Sequence, residues 1–187
     1  MSKRTRGHIF ERRPLDFYAT PLQAVQPLIP YLRAERIKTF AEPCNGEGDL
    51  SGHLESFDLR CVHRGDITTG QDARLLTKKE CRGARAVITN SPHTRTLMHE
   101  LIERFVATGL PTWLLIDLDW VSNLHATPYL PWCSDFVVIG RVRWIGGTKK
   151  HSTDNFAWYR FSSAHARRDF DPQRSPTLTP KTSEARS

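Results

Sequence analysis

Apolar residues along this chain fall into short blocks, and most blocks end abruptly at an acidic residue, an asparagine or a glycine. Residues 36–41 read as a buried strand that runs into Glu42-Pro43-Cys44-Asn45-Gly46-Glu47-Gly48, and a helix is predicted from about 49 to 57. Residues 59–63 predict a second strand, ending at Arg64-Gly65-Asp66-Ile67, and residues 70–76 a short helix. A third strand at 84–89 leads into Asn90-Ser91-Pro92-His93. Leu97, Leu101, Ile102 and Phe105 then repeat at helical spacing across 96–107, and Gly109 supplies the stop.

The block at 113–116 is apolar throughout. A strand without alternation belongs at the centre of a parallel sheet, covered on both faces, and this one ends at Asp117-Leu118-Asp119-Trp120. A loop carrying Pro128 and Pro131 separates it from strands at 135–139, with a possible extension over 141–145, and at 155–161. Upstream, Thr20 is the predicted N-cap and Pro21 the first residue of a helix with a Leu22, Val25, Leu28 and Ile29 stripe, stopping near Pro30. Strands and helices alternate and then give way to closing strands. That order predicts an α/β fold: a mostly parallel sheet between two helical layers, with antiparallel closing strands.

A chain of 187 residues, 39% hydrophobic and 25% charged, fits one globular domain. The expected limits are a flexible basic arm over 1–14, a folded unit over 15–162 and a disordered tail rich in Ser, Arg, Pro and Thr over 163–187. No apolar run reaches the roughly 18 residues of a membrane helix, and the basic start does not lead into a signal-like core, so no membrane partner and a cytoplasmic location are expected. Cys44, Cys61, Cys81 and Cys133 lie far apart without metal-ligand spacing, so free thiols and no metal site are expected. The net charge of +7 points to a polyanionic partner, nucleic acid first, although basic termini alone also produce such a charge.

Candidate chemistry lies in the punctuation. In doubly wound sheets ligands bind beyond the C-terminal strand ends. The segments 42–48, Asp66, 90–93 and 117–120 all fall there. Gly46 and Gly48 allow a tight turn and close approach of a ligand to backbone, though a lone Gly-x-Gly is as often only a turn. Asp66 is spaced to meet a ribose hydroxyl or to form a turn, and the spacing leaves both open. Arg141, Arg143, Lys149 and Lys150 suit phosphate contact or a solvated hairpin tip equally well. Trp120, Trp144 and Trp158 read as core or rim packing.

In order and spacing, Phe17-Tyr18-Ala19-Thr20-Pro21, Glu42-Pro43-Cys44-Asn45-Gly46-Glu47-Gly48, Asp66-Ile67 with Asp72, and Asn90-Ser91-Pro92-His93 resemble the motifs of Rossmann-like S-adenosylmethionine-dependent methyltransferases. The closest pattern is that of compact adenine-N6 DNA methyltransferases of phages and bacterial mobile elements, and it spans roughly residues 15–161. The resemblance implies a Rossmann-like three-layer sandwich binding S-adenosylmethionine through Tyr18, Thr20, Pro21, Glu42, Pro43, Gly46, Gly48, Asp66 and Asp72. Thr20 would meet the carboxylate, Glu42 the cationic end, Asp66 the ribose and Asp72 the adenine amino group. It further implies methyl transfer to a DNA adenine at Asn90, Ser91, Pro92 and His93, with the Asn90 side-chain oxygen and the Ser91 carbonyl accepting from the amino group and the fourth residue stacking on the base.

Two positions depart from that pattern: Ser91 stands where the motif has proline, and His93 where it has Tyr or Phe. These departures leave open a nucleic-acid-binding relative without catalysis, and, because the cofactor motifs say nothing about the acceptor, a methyltransferase for RNA, protein or a small molecule is the other alternative.

Overall fold

The computed structural model describes residues 19–144 and 154–166. Tyr18, Lys149, Lys150, the 1–14 arm and the 146–151 loop lie outside them. The chain forms strands β1 (Thr39–Glu42), β2 (Arg60–Arg64), β3 (Ala86–Thr89), β4 (Thr112–Asp117), β5 (Cys133–Arg141) and β6 (Asn155–Phe161). They make one sheet in the order β2-β1-β3-β4-β6-β5. β1 pairs in parallel with β2 and β3, β3 in parallel with β4, and β6 is antiparallel to both β4 and β5.

β4 holds the central position that its unbroken apolar run demands. Trp113 and Leu115 face one core with Phe40, Ile88 and Trp158, while Leu114 and Ile116 face the other with Val87, Phe105 and Tyr159. Helix α4 (Arg95–Ala107) covers the second face with Met98, Leu101, Ile102, Phe105 and Val106, and Gly109 at φ +78° follows its end. The first face is covered by α1 (Leu22–Val25), α2 (Ile29–Ala34) and α3 (Asp49–Glu55), which contribute Ala24, Val25, Leu32, Leu50 and Leu54, with Leu28 from the turn between α1 and α2. Trp120 and Trp158 are core, and Trp144 is half-buried beside Phe156 and His93.

Several local expectations change. The first helix is broken, with a 3-10 turn at Gln26–Leu28 between α1 and α2. Pro27 has no N–H and its ring crowds the preceding turn. Pro30, by contrast, falls in the first turn of α2, where no N–H is needed, so the helix continues to Ala34. Pro21 rather than Thr20 is the N-cap residue, and no side chain caps α1. Leu22, placed on the buried stripe by spacing, is 40% exposed. The predicted helix at 70–76 is reduced to a 3-10 turn, Ala73–Leu75. β5 starts at Cys133 and reaches Arg141, with Val142 to Trp144 outside it. A four-residue helix, α5 (Ser163–Ala166), carries regular structure past residue 162.

This topology fixes where a ligand can sit. From β1 the chain crosses through α3 to β2 on one side, and from β3 through α4 to β4 on the other, with the two helices on opposite faces. A crevice opens between the C-terminal ends of β1 and β3.

Candidate functional site

That crevice is a cavity of about 640 Å³. Thr20, Glu42, Pro43, Gly46, Asp66, Asp72, Asn90 and Pro92 border it, so four separate stretches of sequence meet there. Pro21, Gly48, Ser91 and His93 do not border it.

Glu42 ends β1. It is 1% exposed, and its Oε2 atom has no hydrogen-bond partner among the described residues. Burial pushes its carboxyl well above the ordinary 4.5, an effect only partly offset by Arg64 and the Ser51 amide. The loop after it turns through Gly46 at φ +54° and Gly48 at φ +91°, and the left-handed Gly48 caps α3. The end of β2 fastens this loop: the Gly65 N–H donates to the Glu42 carbonyl (2.9 Å) and the Asn45 N–H to the Gly65 carbonyl (2.8 Å). A Cβ on Gly65 would lie 3.0 Å from the His63 ring, 3.1 Å from the Gln71 amide oxygen and 3.4 Å from the Pro43 carbonyl, which accounts for a glycine there.

Asp66 holds the same loop from below. Its Oδ2 accepts from the Gly46 N–H (2.8 Å), and its Oδ1 accepts from the N–H (2.9 Å) and hydroxyl (2.6 Å) of Thr68. Burial opposes ionisation, but these donors outweigh it and hold the carboxyl below its ordinary value. Of the two readings left open by the spacing, the turn is present, and Asp66 also lies on the cavity wall.

Asn90 follows β3, and its amide nitrogen donates to the Thr20 hydroxyl at 3.1 Å. Thr20 is 3% exposed. It reaches the site because the Trp158 indole N–H donates to the Ala24 carbonyl (2.7 Å), pinning α1 to the sheet. Ser91 is 2% exposed, and its hydroxyl has no partner among the described residues. His93 instead packs edge-on against Phe156 (5.6 Å between ring centres) and Trp144 (6.2 Å), facing Asp117 at the end of β4. Arg141 and Arg143 are exposed near the end of β5.

Cys44 lies on the wall, but burial and the neighbouring carboxylates push its thiol up to about 12, so it stays protonated. The other three cysteines are buried free thiols. No group of His, Cys, Asp and Glu among the described residues could hold a metal, and no helix there is long and apolar enough to cross a membrane.

Sequence reasoning missed Arg74 and Glu100. Arg74 could have been found from its position two residues after Asp72, a spacing typical of side-chain-capped turns. Glu100 carries no signal, since it is one polar position of an amphipathic helix whose edge happens to line the cavity. Together they complete a marked charge pattern. Among the described residues, six carboxyl side chains (Glu42, Glu47, Asp49, Asp66, Asp72 and Glu100) line the cavity against one cation, Arg74, in a chain whose net charge is +7. Such a site repels phosphates and attracts a cationic ligand.

No protein-family model matches the chain, and no curated protein matches it in sequence. Solved structures do. A candidate RNA methyltransferase from Pyrococcus horikoshii superposes with a TM-score of 0.55 at 16% identity, over 79% of this chain and 88% of that one. A dimethyladenosine transferase from Plasmodium falciparum gives 0.48 at 13% identity, over 80% and 64% of the two chains. An rRNA methylase from Streptococcus thermophilus gives 0.41 at 14%, over 72% and 94%. The likeness to the Pyrococcus protein shows the fold: a mixed α/β, Rossmann-like sheet of the methyltransferase kind.

Proposed function

We propose that this chain is an S-adenosylmethionine-dependent methyltransferase acting on an adenine amino group in nucleic acid. The observation that carries the cofactor is Glu42: a carboxyl buried to 1% exposure, with an oxygen that has no partner among the described residues, on the wall of a cavity rich in acid. A buried acceptor of this kind is satisfied by a cationic donor. S-adenosylmethionine carries an ammonium and a sulfonium, whereas a nicotinamide dinucleotide would bring a pyrophosphate into a wall of carboxylates.

When bound, that cofactor supplies an electrophilic methyl group. The chain's own contribution is positioning and electrostatics. Glu42 accepts from the ammonium, the Thr20 hydroxyl donates to the carboxylate, and the Gly46 backbone lets the ligand lie close to the loop. Thr20 also takes the Asn90 amide nitrogen, so the amide oxygen is the atom Asn90 offers to a substrate amino group. The Ser91 carbonyl is the second acceptor. Neither acceptor depends on the proline that Ser91 replaces, which supports catalysis despite the departure from the motif. His93 is braced by Phe156 and Trp144, so the ring at the stacking position is held by aromatic neighbours.

The motif order supports DNA as the acceptor. RNA is the second reading, favoured by the description of the Pyrococcus protein as a candidate RNA methyltransferase. In either polymer the adenine must be unpaired or flipped out. The test is incubation of the protein with labelled S-adenosylmethionine and single- and double-stranded DNA or RNA of mixed sequence, then digestion and identification of the labelled nucleoside. Labelled N6-methyladenosine or its deoxy form, absent with Asn90→Ala, is the expected result. Transfer that survives Asn90→Ala would overturn the assigned chemistry.

A further inference from the structure

Asp72 stands where the resemblance puts the acceptor for the cofactor's adenine, yet its carboxylate is already engaged. Oδ1 accepts from the Arg74 backbone N–H (2.9 Å) and Nε (3.0 Å), and Oδ2 from Nε (3.0 Å) and Nη2 (2.6 Å). A carboxylate offers about four lone-pair sites, and this fork occupies most of them. The guanidinium, by contrast, keeps the Nη1 hydrogens and one on Nη2. Arg74 and Asp72 both border the cavity, as does Glu100 of α4, whose charge also acts on Arg74.

We infer that Arg74, held flat by Asp72, is the residue that contacts the adenine end of the bound ligand. The inference rests on the proposed function and deepens it. Flanked by two carboxylates, the guanidinium is neutralised as a charge and does not select phosphate. What it retains is a plane with outward N–H groups, which suits a neutral heteroaromatic ring whose nitrogens accept hydrogen bonds or whose face stacks on the cation. Asp72 is then a positioning residue, and the cavity is divided: acid around Glu42 for the cationic end, a tethered guanidinium for the nucleoside end.

Calorimetric titration of the full chain with S-adenosylhomocysteine and with adenosine separates the possibilities. Arg74→Ala is expected to weaken both ligands by the same factor, on the order of tenfold for a lost cation–ring contact and hydrogen bond. Arg74→Lys should be equally weak, since it keeps charge but not the plane. Asp72→Ala in the Arg74→Ala background should add nothing further. Melting temperatures of the exposed Arg74 variants should match wild type, which excludes a purely structural effect. Wild-type binding that Arg74→Ala and Arg74→Lys leave intact, with loss only in Asp72→Ala, overturns the inference and returns the contact to Asp72. A folded wild-type protein that binds neither ligand overturns the proposed function along with it.

Discussion

The side-chain amide of Asn90 donates to the hydroxyl of Thr20 at 3.1 Å, across 70 positions of sequence. This contact joins the loop after β3 to the segment leading into α1, and it couples the orientation of the acceptor amide to the segment proposed to hold the cofactor carboxylate. Thr20→Val keeps the shape and removes the hydroxyl. A hydrogen bond of this kind contributes about 1 kcal/mol, so methyl transfer should fall by roughly fivefold or more. Asn90→Ala should abolish transfer while cofactor binding, followed by calorimetry, persists.

Glu42→Gln tests the buried carboxyl twice over. The folded-state pKa of Glu42 is raised, so the native protein holds its proton more tightly than the unfolded chain does. The stability from this group is therefore complete below the ordinary value of 4.5 and is lost as pH rises from there through the folded pKa. Glutamine removes that loss. At neutral pH the variant should melt higher, by about 2–4 °C per kcal/mol regained in a chain of this size. The same change should weaken S-adenosylmethionine binding at least ~tenfold, as expected for a charge-assisted bond. A variant that melts lower and binds equally well would contradict both statements.

In wild type, an ammonium bound at Glu42 draws the carboxyl toward its ionised form. Cofactor binding should then release protons over the range in which free Glu42 is protonated. Calorimetry in buffers of different ionisation enthalpy measures this directly, and Glu42→Gln should erase the buffer dependence.

Asp66 clamps Gly46 and Thr68 through three hydrogen bonds. Asp66→Ala frees all three donors, and bonds to an ionised group contribute about 1.5–3 kcal/mol when well shielded and less in this half-exposed position. A loss of roughly 1 kcal/mol in a urea titration is expected. Its carboxyl is held below the ordinary 3.8, so the stabilisation is present above that value and fades as pH falls through the folded pKa.

Away from the cavity, the Trp120 indole N–H donates to Nε2 of His99 at 3.1 Å, which requires a neutral imidazole. Burial, then His125 and Arg95, hold the pKa of His99 below 6.5, and His125 is shifted the same way. The unfolded chain takes up these protons first. Stability should therefore fall as pH drops below about 6.5 and level off once the folded groups are protonated too. His99→Gln, which keeps an acceptor for Trp120, should show a smaller drop in urea midpoint between pH 7.5 and 5.5.

The sequence by itself determined the layered α/β fold and much of its punctuation. The unbroken apolar run at 113–116 could only be a central strand, the spacing of Leu101, Ile102 and Phe105 could only face a core, and Gly46 and Gly48 marked the left-handed turns before α3. Each of these signals is local, because hydrophobic period and backbone freedom act over a few residues. The tertiary structure decided the rest. Pro27 broke a helix that periodicity carried through, and Thr20, expected as a helix cap and, through the resemblance, at a cofactor carboxylate, was drawn to Asn90 once Trp158 pinned α1 to the sheet. The engagement of Asp72 by Arg74, the turning of His93 toward Phe156, and the place of Glu100 on the wall depend on side-chain directions and packing between distant segments. Period and composition carry no information about those, and they are what make an acid-lined cavity out of a basic chain.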